Sequence, residues 1–504
     1  MRCSTLLAVL VWQALPVFSA EAQTSQPTVQ AARSITAVDV ARRIGVIADD
    51  SMLGRDTPSR GLELTAEYVA AQFRRFGLHT SIQRYPITRR RLEPEQSRVV
   101  FSAAGREESA SFTNAARFEA GGVPEHPIRS GAILVGGAHM TESVERLDVR
   151  NKVVLFVPPS KPDPEALQQV LRILFLTETK ALIVLTDMDS AAFAASIPRR
   201  HAERTVIGRS RGKPAILQVQ AAAVKNALTA AGVDLASIRN QSTPVARDIP
   251  QLQIGIEMKE TVTSSLTAPN TVGVLEGSDS RLKDEYVVFS AHMDHIGITA
   301  GRRDSINNGA DDDASGTVGV IELAEAFSQP GARPKRSLIF VTVSGEEKGL
   351  WGSEYFASNP PVPVKQMVAG LNMDMIGRNW PDTIVAIGKE HSDLGATLNS
   401  VNAAHPELRM TAIDDRWPEE RFYFRSDHYN FARKGVPILF FFNGIHEDYH
   451  EVTDSPEKIN SEKEARILKL LFYLGQEIGN AAKRPEWNSE SYKEMVEEKS
   501  VSAR

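Results

Sequence analysis

Four uninterrupted apolar runs follow residue 270, and none of them alternates with polar residues. They span residues 286–289, 338–343, 367–371 and 436–442. Runs of this kind are typical of strands covered on both faces, as in a parallel sheet between layers of helices. Between them lie helical patterns, for example apolar residues at three-residue spacing from Val318 to Phe327. The pattern predicts an α/β fold with a doubly wound, mostly parallel sheet and helices on both faces.

The first half of the chain has a different texture. Residues 35–78 show amphipathic helical spacing, and residues 80–130 alternate like strands. Between about 130 and 250, short β runs flank a helical stretch at 165–176, which predicts a smaller inserted α/β domain. A last amphipathic helix is predicted at 462–482. The predicted order is a first domain part at 23–128, an insert at 129–250, the main part at 251–483 and a charged tail at 484–504 that we expect to fray.

The N-terminus has the pattern of an export signal. A basic start is followed by an apolar run at 6–18 and by the small-x-small site that ends at Ala22. This predicts a signal peptide over 1–22 and an exported protein, periplasmic or secreted. The run is too short to span a membrane, and no other segment reaches about 18 apolar residues, so we expect no stable membrane insertion. The single cysteine, Cys3, would leave with the signal.

Composition narrows the chemistry. The 504 residues are 42% hydrophobic and 24% charged, as in soluble globular proteins. The charges nearly balance, with 58 basic and 63 acidic residues, so nothing favours nucleic acid as a partner. One cysteine excludes an intramolecular disulfide and a thiolate metal site. A metal here would have oxygen and nitrogen ligands.

Residues of the types that commonly bind metals follow each of the four apolar runs. The segments are A-H-M-D-H at 291–295, S-G-E-E at 344–347, N-M-D at 372–374 and H-E-D-Y-H at 446–450. A fifth, G-A-D-D-D-A-S-G at 309–316, directly precedes a predicted helix. Binding crevices of open parallel sheets lie at the carboxyl ends of the strands. We therefore expect all five segments to meet at one edge.

Histidines and carboxylates without cysteine favour zinc, with manganese or cobalt as alternatives. A shared carboxylate can bridge two metals about 3.5 Å apart, which activate water and stabilise an oxyanion. The pair Glu346 and Glu347 would supply one ligand and one base. Taken singly, the aspartates at 311–313 fit a solvated turn or a helix cap, and the two glutamates fit a wet helix start. However, five of the eleven histidines fall in or near these segments: His292, His295, His428, His446 and His450.

As an ordered set, these motifs resemble the co-catalytic dizinc metallopeptidases. The set comprises H-M-D-H, G-A-D-D-D-A-S-G, S-G-E-E-K-G-L-W-G-S, N-M-D-M-I-G and D-Y-H. The family includes secreted bacterial leucyl aminopeptidases and, more distantly, glutamate carboxypeptidase and glutaminyl cyclase. The resemblance covers roughly 35–128 and 251–483. The insert resembles a protease-associated domain, which several relatives carry at this place.

The resemblance implies a ligand set and several roles. His292 and Asp374 would bind one zinc, Glu347 and His450 the other, and Asp312 would bridge both. The remaining roles fall to Glu346 as general base and to Asp294, which would orient His292 through its other ring nitrogen.

Two further residues match some relatives. Arg425 would contact substrate, and Tyr449 would stabilise the tetrahedral intermediate. The alternatives are a surface salt bridge for Arg425 and a packed aromatic ring for Tyr449. His295, His428 and His446 are expected to be supporting or structural residues.

These inferences favour an exported two-zinc aminopeptidase that acts on peptides with a free N-terminus. A glutamate-type carboxypeptidase or dipeptidase is an alternative, but it needs a basic pocket for which only Arg425 is available. Glutaminyl cyclisation proceeds with a single zinc in relatives, and the full ligand set disfavours it. A metal-free binding or receptor protein would have lost ligands that are all present here. The insert would contact substrate or a protein partner.

Overall fold

The computed structural model describes residues 25–137, 149, 151–160, 179–200, 203–207, 214–301 and 304–497. The predicted signal peptide and the helical stretch at 165–176 lie outside these residues. None of the helices in the described ranges combines the length and the apolar character that crossing a bilayer requires.

Helices and strands alternate mainly in the part of the chain after residue 286. The described helices are α1 (Gln26–Ala32), α2 (Ala37–Ile47), α3 (Arg60–Arg75), α4 (Ser190–Arg200), α5 (Lys225–Ala230), α6 (Leu235–Arg239), α7 (Gly316–Phe327), α8 (Trp351–Ser358), α9 (Leu394–Ala404), α10 (His428–Ala432), α11 (Ser461–Asn480) and α12 (Ser489–Tyr492). The described strands are β1 (His79–Leu92), β2 (Arg98–Ala103), β3 (Arg106–Ser111), β4 (Ala116–Ala120), β5 (Ile128–Gly136), β6 (Val153–Val157), β7 (Ala181–Thr186), β8 (Arg204–Ile207), β9 (Ala215–Gln220), β10 (Val245–Glu257), β11 (Glu260–Leu275), β12 (Tyr286–His292), β13 (Ser337–Val343), β14 (Met367–Met373), β15 (Thr383–Ile387), β16 (Thr411–Ile413) and β17 (Ile438–Phe441).

The main sheet has nine strands in the order β16-β15-β17-β14-β12-β13-β11-β1-β8. The four predicted apolar runs form β12, β13, β14 and β17, which are parallel neighbours at its centre. This confirms the α/β class. The sheet as a whole is mixed, because β11 pairs antiparallel with both β13 and β1, β1 with β8, and β15 with β17. β1 and β11 form a long antiparallel ribbon, and the chain between them contains the second sheet. Because the two strands are antiparallel, no crossover helix is needed to connect them.

Helices cover both faces of the main sheet. On one face α2, α7 and α11 pack around Ile44, Phe327 and Leu471, all fully buried. On the other face α8 and α10 meet through Phe356 and Phe431, with ring centroids 5.6 Å apart. Side-chain caps fix the helix starts; the Thr36 hydroxyl, for example, accepts from the main-chain N–H of Asp39 at 3.1 Å. The predicted layering is confirmed, and the predicted last helix corresponds to α11.

The second sheet has eight strands in the order β3-β2-β10-β5-β6-β7-β9-β4. Its centre is parallel, from β5 through β6 and β7 to β9. Its strands come from 98–257, so the sheet extends beyond the predicted insert at 129–250 on both sides. β8, which lies inside that range, pairs with β1 of the main sheet. The insert boundaries and the likeness to a protease-associated domain stay predictions.

The described part of the C-terminal tail is ordered, so the expectation that it frays is wrong up to residue 497. The indole Nε1 of Trp487 donates to the main-chain carbonyl of Gly435 at 3.0 Å. Met495 is 1% exposed and packs in the core that contains Phe431. The many charges of this segment concealed its two apolar anchors.

Candidate metal centre

The carboxyl ends of the central strands converge, as the sequence predicts. β12 ends at His292, whose strand partner on β13 is Val343. Glu346 and Glu347 follow β13, and Asp374 follows β14 directly. All these residues lie on loops at one edge of the sheet, as is usual for binding crevices in such folds.

Asp312 lies between two groups of ligand-type side chains. Its Oδ1 is 3.3 Å from Nε2 of His292, and its Oδ2 is 3.2 Å from Nε2 of His450. On the first side, the same His292 nitrogen lies 3.7 Å from Oδ1 of Asp374. On the second, the same His450 nitrogen lies 3.0 Å from Oε2 of Glu347. The five predicted ligands therefore lie together, with Asp312 shared as a bridging residue would be.

A sixth side chain, His295, joins the second group. Its Nδ1 lies 2.9 Å from Oε1 of Glu347 and 3.6 Å from Oδ2 of Asp312, and its ring is fully buried. From the sequence, His295 is expected to be only a supporting or structural residue. Its position three residues after His292, in the same turn, is the signal that could have identified it.

Asp294 contacts His292 mainly through its main chain. The Nδ1–H of His292 donates to the Asp294 carbonyl oxygen at 3.2 Å, whereas the nearest carboxylate oxygen lies at 3.7 Å. Because a carbonyl can only accept, this contact assigns a proton to Nδ1, and Nε2, which faces Asp312, is the ring nitrogen that remains available to a metal. The Asp294 carboxylate itself accepts from the hydroxyl of Thr57 at 3.0 Å and from the N–H of Glu346 at 3.3 Å.

Two other aspartates brace the loops from behind. Asp313 accepts main-chain N–H groups of His292, Gly316 and Met375 at 2.9–3.2 Å, which ties three loops together. Asp454 accepts the N–H of Asp312 at 3.1 Å. Asp313 thus joins the segments around the site, and Asp454 holds the backbone of Asp312.

Arg55 is a fully buried cation that sequence reasoning missed. Its guanidinium donates to the main-chain carbonyls of Met293, Ile47, Asn308 and Gly309 at 2.6–3.0 Å. It thereby joins the loop of His292 to the turn that carries Asp312. No sequence signal marks Arg55, because a lone arginine in a polar turn usually faces solvent.

The carboxylates and imidazoles strongly perturb one another. Burial, together with Asp427 and Asp374, raises the pKa of Glu346 well above its ordinary value. Burial opposes ionisation of Asp312, but His292, His295 and His450 hold its pKa well below the usual range. For His450, burial opposes the charge, and the carboxylates of Asp312 and Glu347 raise its pKa to about 10. This concentration of buried anions favours a divalent cation.

A cavity opens onto this site. Its polar lining includes His292, Asp312, Glu346, Asp374 and Ser426. Its apolar and aromatic lining comprises Met375, Phe422, Phe440, Phe442, Ile445 and Tyr449. Such a combination of apolar residues and convergent polar groups is typical of small-molecule and peptide-end sites.

Arg425 and Tyr449 both line the cavity. Arg425 forms an exposed ion pair with Oε2 of Glu420 at 3.0 Å, and its guanidinium lies 4.7 Å from the centre of the Phe422 ring. Tyr449 stacks on His450 at 3.9 Å and is 37% exposed. The geometry is compatible with a substrate role and with the structural alternative for each, so both roles stay predictions.

Other titratable residues lie behind the cavity. His428 stacks on Phe440 at 4.3 Å, and burial lowers its pKa to about 3, so it is a neutral packing residue. Nε2 of His446 lies 3.2 Å from Oδ2 of Asp311. Asp427, another residue missed from the sequence, is buried, which raises its pKa to about 7. A buried aspartate between Ser426 and His428 has no sequence signature of its own.

Comparison with known proteins gives matches to a peptidase family and to several related proteins. Residues 270–475 match the description "Peptidase family M28". The chain is 30% identical over 203 residues to leupeptin-inactivating enzyme 1 of Streptomyces exfoliatus, covering 40% of this chain and 41% of that enzyme. It is 24% identical over 319 residues to a probable leucine aminopeptidase of Trichophyton verrucosum, covering 59% and 84%. The matched part thus spans less than half of the Streptomyces enzyme.

A solved structure also aligns with most of the chain. It is an aminopeptidase from Aneurinibacillus sp. strain AM-1, with 16% sequence identity and a TM-score of 0.48. The alignment covers 91% of this chain and 97% of that protein.

Proposed function

Residues 270–475 of this chain belong to peptidase family M28, and from that premise we propose that the protein is an exported, zinc-dependent aminopeptidase with a two-metal centre. The observation that carries the proposal is the position of Asp312, whose two oxygens face His292 and His450 on opposite sides at 3.3 and 3.2 Å. A shared carboxylate between two ligand groups supports two ions rather than one. The N-terminal apolar run that ends before Ala22 supports export.

The donor set fits zinc. Imidazole nitrogens and carboxylate oxygens are its usual ligands when thiolates are absent. Among the described residues, buried polar atoms without a hydrogen-bond partner include Nε2 of His450 and Oε1 of Glu347, and both belong to the second ligand group. We propose His292 and Asp374 for one zinc, Glu347 and His450 for the other, and Asp312 for both. When bound, the ions supply Lewis acidity that polarises the substrate carbonyl and lowers the pKa of water.

Glu346 is the proposed general base. It lines the cavity with His292, Asp312 and Asp374, and its main-chain N–H is held by the Asp294 carboxylate. Its raised pKa suits a group that takes a proton from the attacking water at its carboxylate oxygen and passes it to the leaving amine. The Tyr449 hydroxyl is proposed to donate to the carbonyl oxygen as negative charge develops there.

The lining of the cavity favours the N-terminal residue of a peptide as the bound group. The apolar lining residues suit an apolar first side chain at the end of a peptide. A carboxypeptidase would need a free basic group for the terminal carboxylate. Arg425 is the one lysine or arginine among the described lining residues, and it already pairs with Glu420. This favours the aminopeptidase.

A peptide digest followed by mass spectrometry tests the proposal. The mature protein with added zinc would be given one peptide with an apolar first residue in three forms: free, N-acetylated and C-amidated. We expect stepwise shortening of the free and amidated forms, an intact acetylated form, and complete arrest by a chelator. Trimming from the C-terminus would overturn the aminopeptidase in favour of a carboxypeptidase. Absence of cleavage together with absence of bound zinc would support the metal-free binding protein.

A further inference from the structure

We propose that His295 is a fourth protein ligand of the metal position formed by Asp312, Glu347 and His450. This inference rests on the proposed two-zinc function. It adds His295, which is otherwise expected to be only a supporting residue, to the set of metal ligands. Donor atoms of these four side chains all lie within 4.8 Å of one another. The second group therefore offers a complete four-ligand set. On the first side the clustered residues are His292, Asp313 and Asp374; the Asp313 carboxylate is taken up by three main-chain N–H groups, so the ligands left there are His292, Asp374 and the shared Asp312.

The contacts of His295 aim its ring at the ligand group. Its Nδ1 lies 2.9 Å from Oε1 of Glu347 and 3.6 Å from Oδ2 of Asp312. The ring meets that of His450 edge to face, with centroids 5.6 Å apart. Nδ1 of His295 therefore points to the same space as Nε2 of His450.

The surroundings hold the ring in this place. The main-chain N–H of His295 donates to the carbonyl of Arg55 at 3.3 Å. Gly309 packs against the ring, and a Cβ atom there would lie 2.6 Å from both Cγ and Cδ2 of the imidazole. Since Gly309 also has φ +54°, a side chain at this position is excluded twice. The position of the imidazole is thus fixed by residues of two other segments, which contain Arg55 and Gly309.

The alignment of the nitrogens favours a cation over a simple hydrogen bond. Among the described residues, neither ring nitrogen of His295 has a hydrogen-bond partner, although its Nδ1 is 2.9 Å from Glu347. His405 provides the contrast, because its Nδ1 lies at the same 2.9 Å from Oε1 of Glu407 and does form a hydrogen bond. At His295 the two atoms instead belong to a set of four donor atoms that all lie within 4.8 Å of one another, as the ligands of one ion do.

A fourth protein ligand would make the two metal positions unequal. Zinc with four protein ligands is a closed site, whereas zinc with three keeps a position open for water or substrate. We therefore expect the ion beside His295 to be retained more strongly, and the ion beside His292 and Asp374 to be lost first on chelation.

This inference is tested by measuring zinc binding to two variants at His295 and to one matched control variant. His295→Ala removes the side chain, and His295→Asn keeps a polar group near Nδ1 without the imidazole. The matched control is His405→Asn. His405 makes the same kind of contact with a glutamate, but it lies far from the site. Each full-length protein would be freed of bound metal and checked for folding by thermal unfolding. It would then be titrated with zinc against a competing chelator.

We expect the control to bind two zinc ions, each with the same affinity as the corresponding ion in the wild type. Both His295 variants should lose affinity for one ion by more than the roughly 10–100-fold that is typical when residues outside the ligand set are changed. If His295→Asn keeps both ions within tenfold, the ligand assignment is wrong. A wild type that binds fewer than two zinc ions would instead overturn the proposed function.

X-ray absorption at the zinc edge of the wild type decides independently of any effect on folding. Three histidines shared by two ions are expected. Two histidines would exclude His295.

Discussion

Replacing Arg55 should unfold the part of the fold that carries the proposed metal ligands. Its guanidinium is fully buried and donates to four main-chain carbonyls, including those of Met293 and Gly309. Arg55→Met keeps most of the volume but leaves the carbonyls of Met293, Ile47 and Asn308 without their donor, whereas Gly309 still accepts from the N–H of Ala314 at 3.2 Å. At about 1–3 kcal/mol for each of the three, the loss is roughly 3–9 kcal/mol. Whole domains are stable by only about 5–15 kcal/mol, so the metal-free variant should be largely unfolded or strongly destabilised.

Urea unfolding of the metal-free protein measures this effect. Arg84→Met is the matched control, because Arg84 forms an exposed pair with Glu63 at 2.7 Å and should cost at most about 1 kcal/mol. Arg55→Lys should fall between the two, since an ammonium has three donors for four acceptors. An Arg55→Met midpoint equal to that of the control would refute the argument that these contacts hold the loops together.

Four other predictions concern the site and the tail. Glu346→Gln should keep its zinc while kcat falls about 10²–10⁴-fold, because the general base is lost. Asp312→Asn should bind much less zinc by elemental analysis, because the shared carboxylate charge is removed. Zinc affinity in a chelator competition should fall as pH is lowered from about 9 to 6, because the metal must displace a proton from His450, whose metal-free pKa is raised to about 10. Met495→Ala should lower the free energy of unfolding by about 2–5 kcal/mol, because Met495 is buried in the core.

The controls for these predictions follow from the same contacts. For the metal-free protein, the charge on His450 stabilises the fold fully below its ordinary pKa of 6.5, and this contribution is lost as pH rises through about 10. A zinc affinity independent of pH would therefore contradict the contacts of His450. Full activity of Glu346→Gln, or full zinc content of Asp312→Asn, would contradict their proposed roles. Unchanged stability of Met495→Ala would show that the tail does not support the core.

Much of the fold could be predicted because the decisive signals are local. The unbroken apolar runs that form β12, β13, β14 and β17 are typical of strands buried on both faces. The extent of the second sheet could not be predicted, since β2–β4 and β10 alternate like any strands and reveal no partner. The order of the tail depended on two apolar residues, Trp487 and Met495, in a charged segment. Pattern analysis weighs composition and misses single anchors.

The site divides in the same way. Asp312 and the four side chains around it stand in motifs that follow predicted strands, so their convergence could be expected. The contributions of His295 and Arg55 depend on where a ring or a guanidinium points, and spacing along the chain does not encode that. Arg55 acts through main-chain carbonyls 238 to 254 positions away, which carry no side-chain signature.

Diffraction from crystals grown with zinc, measured at the zinc absorption edge, tests the central claim most directly. The account predicts two anomalous peaks on opposite sides of the Asp312 carboxylate. One should lie against His292 and Asp374, and the other against Glu347 and His450. A single peak, or peaks away from Asp312, would contradict the two-metal centre from which the proposed function follows.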